Sequence, residues 1–362
     1  NNYPKENKKI SYKAIKYTKQ ISYLIFSIFC IAILINYLFF KSSNIYEYFF
    51  YLLLGSIITI FFLSAEGILQ GNRKFEIISL INLFFFSFSF SIPSLILILD
   101  NSLNLHQLIS ISIFIKFITI IVIFLIIYNK SYIEKSNSNI LFINLKKNSK
   151  WITLNGILIQ FYDLFDKYLI KFFLGATALA TYSVPQQLTG KLSIISKSFS
   201  AYLLPDLSKK KINNNDFEFS LNLFLTIIPI FIFLLFPFYS YILEIWLRNS
   251  YNEEILILTK IFSLSVIFSC SSHILITKFE ASKTLKKNLK IELILMPIFL
   301  FSLFYLIQMK YSLIVISILI LTKEYVLFIL RLYLLKYYLK KFQTYLLYSL
   351  FLILILLLSF FL

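Results

Sequence analysis

Apolar residues occur along the chain in long runs, separated by short polar and charged segments. Each run has roughly 20 residues or more, which is enough for a helix to cross the apolar core of a bilayer. Strands of a membrane barrel would be about half this length and would alternate polar and apolar residues. The pattern therefore predicts an all-α polytopic membrane protein. Eleven transmembrane helices are predicted, at 21–40, 49–69, 77–99, 108–128, 151–175, 178–207, 219–241, 254–277, 290–308, 311–334 and 343–362.

The basic residues are distributed unequally between the two sides of the predicted membrane. Alternate segments between the spans, counted from the N-terminus, carry 24 Lys and Arg residues, and the opposite segments carry only Lys41, Arg248 and Lys310. Cytoplasmic loops are enriched in Lys and Arg, so we expect residue 1 in the cytoplasm and residue 362 on the outer side. The net charge of +18 is thereby explained by topology, and we expect no nucleic-acid partner.

The order of the spans indicates an internal duplication. The first to fourth spans start roughly 200 residues before the seventh to tenth. ILQGNRKFEIISLI, after the second span, is weakly similar to ITKFEASKTLKKNLKIELI, after the eighth. An offset of six helices predicts two parallel lobes related by an axis along the membrane normal. We expect an incomplete N-terminal lobe of four helices at 1–150, a six-helix C-terminal lobe at 151–342 and an extra helix at 343–362, with two further helices before Asn1 and one after Leu362.

Twelve charged residues lie inside the predicted spans. A charge at mid-membrane costs about 2.5–3.5 kcal/mol on insertion scales, so these side chains should face a bundle interior or a hydrated cavity. Lys171, Lys260 and Arg331 lie near span ends and could snorkel to the interface. The other charged residues are Glu66, Lys116, Asp163, Asp166, Lys167, Lys191, Lys197, Lys323 and Glu324. Lys323 and Glu324 are adjacent, so they should point in different directions, and at least one of them needs a partner on another helix.

The fifth and sixth spans predict two polar helix faces. At about 100° per residue, one stripe of the fifth span contains Gly156, Gln160, Asp163, Asp166, Lys167 and Lys171. Asp163 and Lys167 could form a purely structural i,i+4 ion pair, but that pair does not use Asp166. In the sixth span, Pro185 can kink the helix. One stripe there contains Tyr182, Gln186, Gly190, Ser193, Lys197 and Ser200. We expect the two stripes to line a central hydrated cavity between the lobes.

Around these charges the chain resembles a known family of transporters. The segment DKYLIKFFLGATALATYSVPQQLTGKLSIISKSFSAYLLPDLSKK, from Asp166, is similar to the seventh and eighth helices of polysaccharide flippases of the Wzx type. LQGNRKF at 69–75 resembles the loop after the family's fourth helix, and ISILILTKEYVLFILRLYLLKYYLK, from Ile316, resembles its twelfth helix. The family belongs to the multidrug/oligosaccharidyl-lipid/polysaccharide exporter superfamily and has a MATE-like flippase fold. The resemblance covers nearly the whole chain, without counterparts of the family's first two helices.

The resemblance implies a transporter, not an enzyme, of the bacterial inner membrane. Its substrate would be a polyprenyl-pyrophosphate-linked oligosaccharide, flipped by alternating access for the biosynthesis of O-antigen or capsule-like polysaccharide. Membrane lipids, the polysaccharide polymerase and the chain-length machinery are the expected partners, and no cofactor or metal is expected beyond coupling to H⁺ or Na⁺. Lysines can hold phosphate through charge-assisted hydrogen bonds. The substrate-binding candidates are Lys116, Gln160, Lys167, Gln186, Lys191 and Lys197, and the candidate coupling acids are Glu66, Asp163, Asp166 and Glu324.

Two other functions remain open at this point. A small-molecule or drug antiporter of the same superfamily would favour an acidic cavity over a mixed or cationic one. A membrane-embedded polysaccharide polymerase or glycosyltransferase would usually carry a sizeable extramembrane loop with acids, His or Arg. The longest loop here, 130–150, is rich in Lys, Asn and Ser and has no pair of acids.

Overall fold

A computed structural model describes residues 3–39, 44–99, 104–129, 139–208, 214–336, 339, 343–345 and 347–348. Some side chains inside the helices are also left undescribed, among them that of Asp163. The predicted Asp163–Lys167 pair and most of the predicted eleventh span therefore lie outside the described part of the chain.

Helices account for every regular element in the described ranges. Besides the α-helices there are a π-helical segment, Leu83–Phe88, and two short 3₁₀ turns, Phe236–Phe238 and Arg248–Ser250. The helices are α1 (Tyr3–Phe39), α2 (Asn44–Gly71), α3 (Phe75–Asn82), α4 (Ser89–Leu99), α5 (Leu105–Asn129), α6 (Asn139–Gly190), α7 (Ser193–Ser208), α8 (Asn214–Leu235), α9 (Tyr239–Leu247), α10 (Glu253–Ala281), α11 (Leu285–Gln308) and α12 (Leu313–Leu334).

Seven helical segments of the described chain are long and apolar enough to cross a membrane. They coincide with the predicted second to fourth and seventh to tenth spans. The all-α, multi-pass class is thus confirmed, whereas the total of eleven spans stays a prediction. The segments are Phe50–Gly71, Phe75–Leu97, His106–Tyr128, Asn215–Leu247, Glu253–Ala281, Leu285–Gln308 and Leu313–Leu334.

The predicted fifth and sixth spans meet at Gly175. This residue interrupts α6 with φ +91° and ψ 177°, a conformation that is strained for residues with a side chain, so glycine is required there. The prediction of one continuous helix over 178–207 for the sixth span is wrong. It stops at Gly190 and restarts as α7 at Ser193, through a turn whose amides bond to carbonyls three residues earlier. Glycine's low helix propensity favours this break.

α2 and α10 end in the same type of turn, which lies inside the two weakly similar segments. Arg73 and Lys283 both adopt positive φ, at 58° and 57°. In each case the next residue's amide bonds back five residues, from Lys74 to Leu69 and from Thr284 to Phe279. This is the Schellman pattern that commonly ends helices. Because Lys310 ends α11 in the same way, the turn does not test the predicted duplication.

The chain divides into two compact units, residues 1–147 and 148–362. We refer to them as unit 1 and unit 2. The predicted division into repeated lobes stays a prediction. In unit 1, α2, α5 and the π-helical segment form an apolar core in which Phe62 and Phe85 stack at 3.7 Å between ring centroids.

Unit 2 is built around α10, which is buried along most of its length. Its partners are α7, α8, α11 and α12. Small residues such as Ser263, Ser265, Cys270 and Ser271 let neighbouring helices approach closely, as is common between membrane helices. Their hydroxyl groups are satisfied within the bundle: Ser263 donates to the Thr259 carbonyl at 2.7 Å and also lies 2.8 Å from the Tyr239 hydroxyl.

Candidate functional site

Unit 2 contains a polar cavity of about 280 Å³. All of its lining residues come from α6, α7, α10, α11 and α12. Apolar residues such as Phe262 and Ile320 form part of the wall, but polar and charged groups are unusually frequent for a site inside a membrane domain. The polar lining consists of Tyr162, Asp166, Lys167, Gln186, Thr189, Ser193, Lys197, Ser265, Ser269, Ser272, His273, Glu292, Lys323, Glu324 and Arg331.

Asp166 is held at the cavity wall by three donors. The Tyr182 hydroxyl donates to its carboxylate at 2.5 Å, the Gln186 amide at 3.3 Å, and the backbone N–H of Lys167 at 2.6 Å. Both Asp166 and Tyr182 are buried, and the Tyr182 ring packs edge-on against Phe262. The break at Gly175 lets the two segments of α6 bring Asp166 and Tyr182 together, although they are 16 residues apart in the chain.

A second charged cluster joins three helices. The Arg331 guanidinium of α12 pairs with the Glu292 carboxylate of α11 at 2.5 Å and donates to the Asn288 side-chain oxygen at 2.9 Å. Asn288 in turn donates to Glu292 at 2.9 Å and to Asn155 of α6 at 3.0 Å. The expectation that Arg331 snorkels to the interface is wrong. Arg331 is only 4% exposed, because Glu292, which lies at the start of a predicted span, provides a counterion inside the bundle.

Lys323 and Glu324 depart from the sequence-based expectation in their direction but agree with it in needing a partner on another helix. They form an ion pair with each other at 2.9 Å, despite being adjacent in α12. Both side chains are long enough to bend around the helix and meet. The Lys323 ammonium additionally lies over the rings of Tyr162 on α6 and Phe299 on α11, at 4.8 and 5.0 Å from their centroids. Lys323 therefore has both the pairing with its neighbour and the contacts with other helices.

The structure brings together half of the residues predicted from the sequence. Asp166, Lys167, Gln186, Lys197 and Glu324 all line the unit 2 cavity. The other five residues do not join them. Gln160 on α6 and Lys191 in the turn after α6 are exposed and lie outside the lining. Lys116 and Glu66 belong to unit 1, where Glu66 accepts a hydrogen bond from Asn82 at 3.1 Å, and the side chain of Asp163 is not described.

Several lining residues were not predicted from the sequence. Glu292, near the start of a predicted span, and His273 were not among the candidate residues. The serines Ser265, Ser269 and Ser272 form a regular polar stripe on α10, spaced by three or four residues, which is a signal that the sequence carries. No group of three or more His, Cys, Asp or Glu side chains suited to a metal ion occurs in the described ranges.

These features define a multi-pass α-helical membrane protein with a charged cavity inside its second unit. The chain is 25% identical over 245 residues to a Shigella flexneri protein named "Putative O-antigen transporter". The aligned region covers 65% of this chain and 57% of the relative, so the chain spans little more than half the length of that protein. No protein-family model matches the chain. No solved structure matches it either.

The similarity is thus to a protein named as an O-antigen transporter, at low identity and over part of its length. A relative named as a transporter also fits a protein that is not an enzyme.

Proposed function

We propose that this protein is a flippase that moves a polyprenyl-pyrophosphate-linked oligosaccharide across the bacterial inner membrane by alternating access. The single observation that carries the proposal is the charge balance of the unit 2 cavity. The similarity to the Shigella flexneri protein supports the same class of cargo, because O-antigen is a surface polysaccharide.

The described carboxylates of the cavity already have partners. Glu292 pairs with Arg331 and Glu324 pairs with Lys323, while Asp166 accepts three hydrogen bonds. Their capacity to bind a cationic ligand is therefore largely used, which is unfavourable for a drug-cation antiporter.

The cations of the cavity are in excess. Lys167 and Lys197 line it, and neither forms an ion pair with a carboxylate that the structure describes. Two ammonium groups that line one polar cavity attract an anion such as pyrophosphate. The hydroxyl oxygens of Thr189 and Ser193, whose protons go to the carbonyls of Pro185 and Gly190, can accept hydrogen bonds from a sugar, and Ser269 adds a further hydroxyl to the lining.

The proposal is tested by removing Lys197 and Lys167 one at a time. Lys197→Gln and Lys167→Gln should each lower export of lipid-linked oligosaccharide about tenfold or more, because a hydrogen bond from a charged donor contributes about 1.5–3 kcal/mol. Lys197→Arg should retain part of the activity, since the charge persists. The matched control is Lys171→Gln, which removes an exposed lysine of α6, the helix of Lys167, outside the cavity lining.

Surface polysaccharide and membrane abundance of the protein are measured in the same cells. Full export by both glutamine variants at normal abundance would refute the assignment of substrate to this cavity. Gln160→Ala and Lys191→Gln in the same assay test the sequence-based hypothesis for the two exposed residues.

A further inference from the structure

Unit 1 contains a cavity of about 580 Å³ among α2, α4 and α5. Its volume falls in the range of small-molecule sites, about 300–1,000 Å³. The lining is mostly apolar, and Lys116 is the one charged residue among the described residues that form it. The unit 2 cavity is rich in polar and charged groups, so the two cavities suit ligands of different chemistry.

Lys116 lies near the middle of the span His106–Tyr128. At about 1.5 Å per residue, its backbone is roughly 15 Å from the nearer end of the span. A lysine side chain is too short to reach the interface from this depth, so a ligand that meets Lys116 must lie in the hydrocarbon interior. An ionic head group would have to leave the interface and its water to do so, which is costly. The depth therefore favours an uncharged ligand.

The ammonium of Lys116 has hydrogen-bond donors to offer. It lies over the rings of Phe85 and Phe90, at 5.7 and 5.2 Å from their centroids, and forms no hydrogen bond or ion pair with the residues that the structure describes. An ammonium group carries three N–H donors, and ring contacts stabilise its charge without supplying an acceptor atom along each N–H. A ligand that fits this site brings an acceptor oxygen to Lys116.

The hydroxyl groups of the lining offer few donors besides Lys116. Ser56 and Thr59 donate their protons to carbonyls of α2 itself, at 2.8 and 2.7 Å. Ser89 and Ser94 donate to carbonyls three and four residues earlier, at 3.1 and 2.8 Å. Because these four protons are already used, a sugar or another ligand with many polar groups does not fit. One or two acceptor oxygens on an apolar body match the cavity better.

The cavity is elongated and its wall faces lipid. Its lining follows α5 from Leu108 to Lys116, roughly 12 Å along the helix axis. Leu52 and Phe90 belong to the wall and are 60% and 65% exposed, and in a membrane-spanning unit such side chains face the hydrocarbon. The Phe90 ring, close to Lys116, can pack against a flat ring of the ligand. A ring near Lys116 and an apolar chain along the wall would fill this shape.

We propose that the unit 1 cavity binds an isoprenoid quinone. One carbonyl oxygen of the quinone accepts a charge-assisted hydrogen bond from the Lys116 ammonium, the ring packs beside Phe90, and the chain follows the apolar wall toward Leu108. A quinone has the required properties together: it is uncharged, it dissolves in the bilayer interior, and it carries carbonyl acceptors on a flat ring with an apolar chain. This inference does not depend on the flippase function or on the unit 2 cavity.

The test is photo-crosslinking of the full chain in quinone-free phosphatidylcholine nanodiscs, with the labelled peptides mapped by mass spectrometry. One probe is a quinone with a diazirine on its isoprenoid chain, and the matched probe has the same chain on a benzene ring without oxygen. The quinone probe should label α2, α4 and α5 about tenfold more, because a hydrogen bond from a charged donor is lost with the other probe.

Substitutions at position 116 separate the hydrogen bond from the shape of the cavity. Lys116→Met keeps a long unbranched side chain and removes the donors, so both probes should then label equally. Lys116→Arg should keep the preference for the quinone, since a charged donor persists. The matched control, Lys171→Met in unit 2, should leave the preference unchanged. If Lys116→Met fails to accumulate, the comparison of the two probes in the unsubstituted protein and in Lys116→Arg still decides.

Competition tests the class of ligand. An unlabelled isoprenoid quinone should displace the quinone probe, whereas a polyprenol of the same chain length and a saturated fatty acid should each need at least about tenfold higher concentration. Equal displacement by the polyprenol would show that the chain alone is recognised, and equal displacement by the fatty acid would show that Lys116 binds a carboxylate. Either result, or an unchanged preference in Lys116→Met, would overturn the proposal.

Discussion

The pairing of Arg331 with Glu292 makes a sharp prediction about the stability of unit 2. Both residues are nearly inaccessible, at 4% and 1% exposure. Replacing Arg331 with Met retains much of the volume but leaves the Glu292 carboxylate buried, where Asn288 is its one remaining donor among the described residues. Removing one partner of a buried ion pair costs about 3–5 kcal/mol, because the remaining charge is uncompensated.

The expected effect is large in a thermal unfolding assay of the purified protein in detergent. At about 2–4 °C per kcal/mol for a unit of this size, Arg331→Met should lower the midpoint by roughly 6–20 °C. Adding Glu292→Gln should recover at least half of the loss, because glutamine is neutral and can still accept the hydrogen bond from Asn288. The matched control, Lys171→Met, removes an exposed lysine and should change the midpoint by less than about 2 °C, as expected for a surface substitution.

Two outcomes would refute this reasoning. A midpoint for Arg331→Met within about 2 °C of the unsubstituted protein would mean that the pair is solvated and not buried. A double variant that loses as much as the sum of the two single variants would mean that Arg331 and Glu292 do not interact, since independent sites are additive.

Three further predictions concern other parts of the chain. Gly175→Ala should destabilise unit 2 by about 1–3 kcal/mol in the same thermal assay, because alanine is strained at φ +91°. The control, Gly156→Ala, lies in a regular part of α6 with open space at the Cβ position and should be neutral or stabilising. Tyr182→Phe removes the shortest hydrogen bond to Asp166 and should lower transport. Adding Phe262→Tyr, at the ring that packs edge-on against Tyr182, should not restore transport. Unchanged transport by Tyr182→Phe at normal abundance would show that the hydrogen bond is dispensable. Single cysteines are placed at positions 140 and 215 in a chain whose Cys30 and Cys270 have been replaced. Neither should react with an impermeant thiol reagent added to intact cells, because both positions are predicted to be cytoplasmic. Labelling of either cysteine from outside would contradict the predicted topology.

Some of the site could be predicted from the sequence because of the membrane environment. A charge in an apolar run is costly, so Asp166, Lys167, Lys197 and Glu324 stood out as residues that must face a cavity or a partner. The polar stripe of the sixth span also predicted that Gln186 and Lys197 share one face, and both line the cavity even though the helix breaks between them.

Other features were invisible to helical periodicity. Lys191 belongs to the same predicted span, but the break after Gly190 places it in a turn with an exposed side chain. Periodicity assumes a continuous helix, so it cannot foresee where a turn rotates one segment relative to the next.

The sequence by itself determined the class of this protein. Runs of about 20 apolar residues leave helices as the favourable way to satisfy backbone hydrogen bonds in lipid, and this requirement acts locally along the chain. The tertiary structure decided which charges are paired. Glu292 and Arg331 are 39 residues apart and lie on different helices, and Asp166 meets Tyr182 only because Gly175 reverses the chain. Whether a buried charge is neutralised or left to bind a ligand depends on such distances between helices, which no periodic pattern within one helix contains.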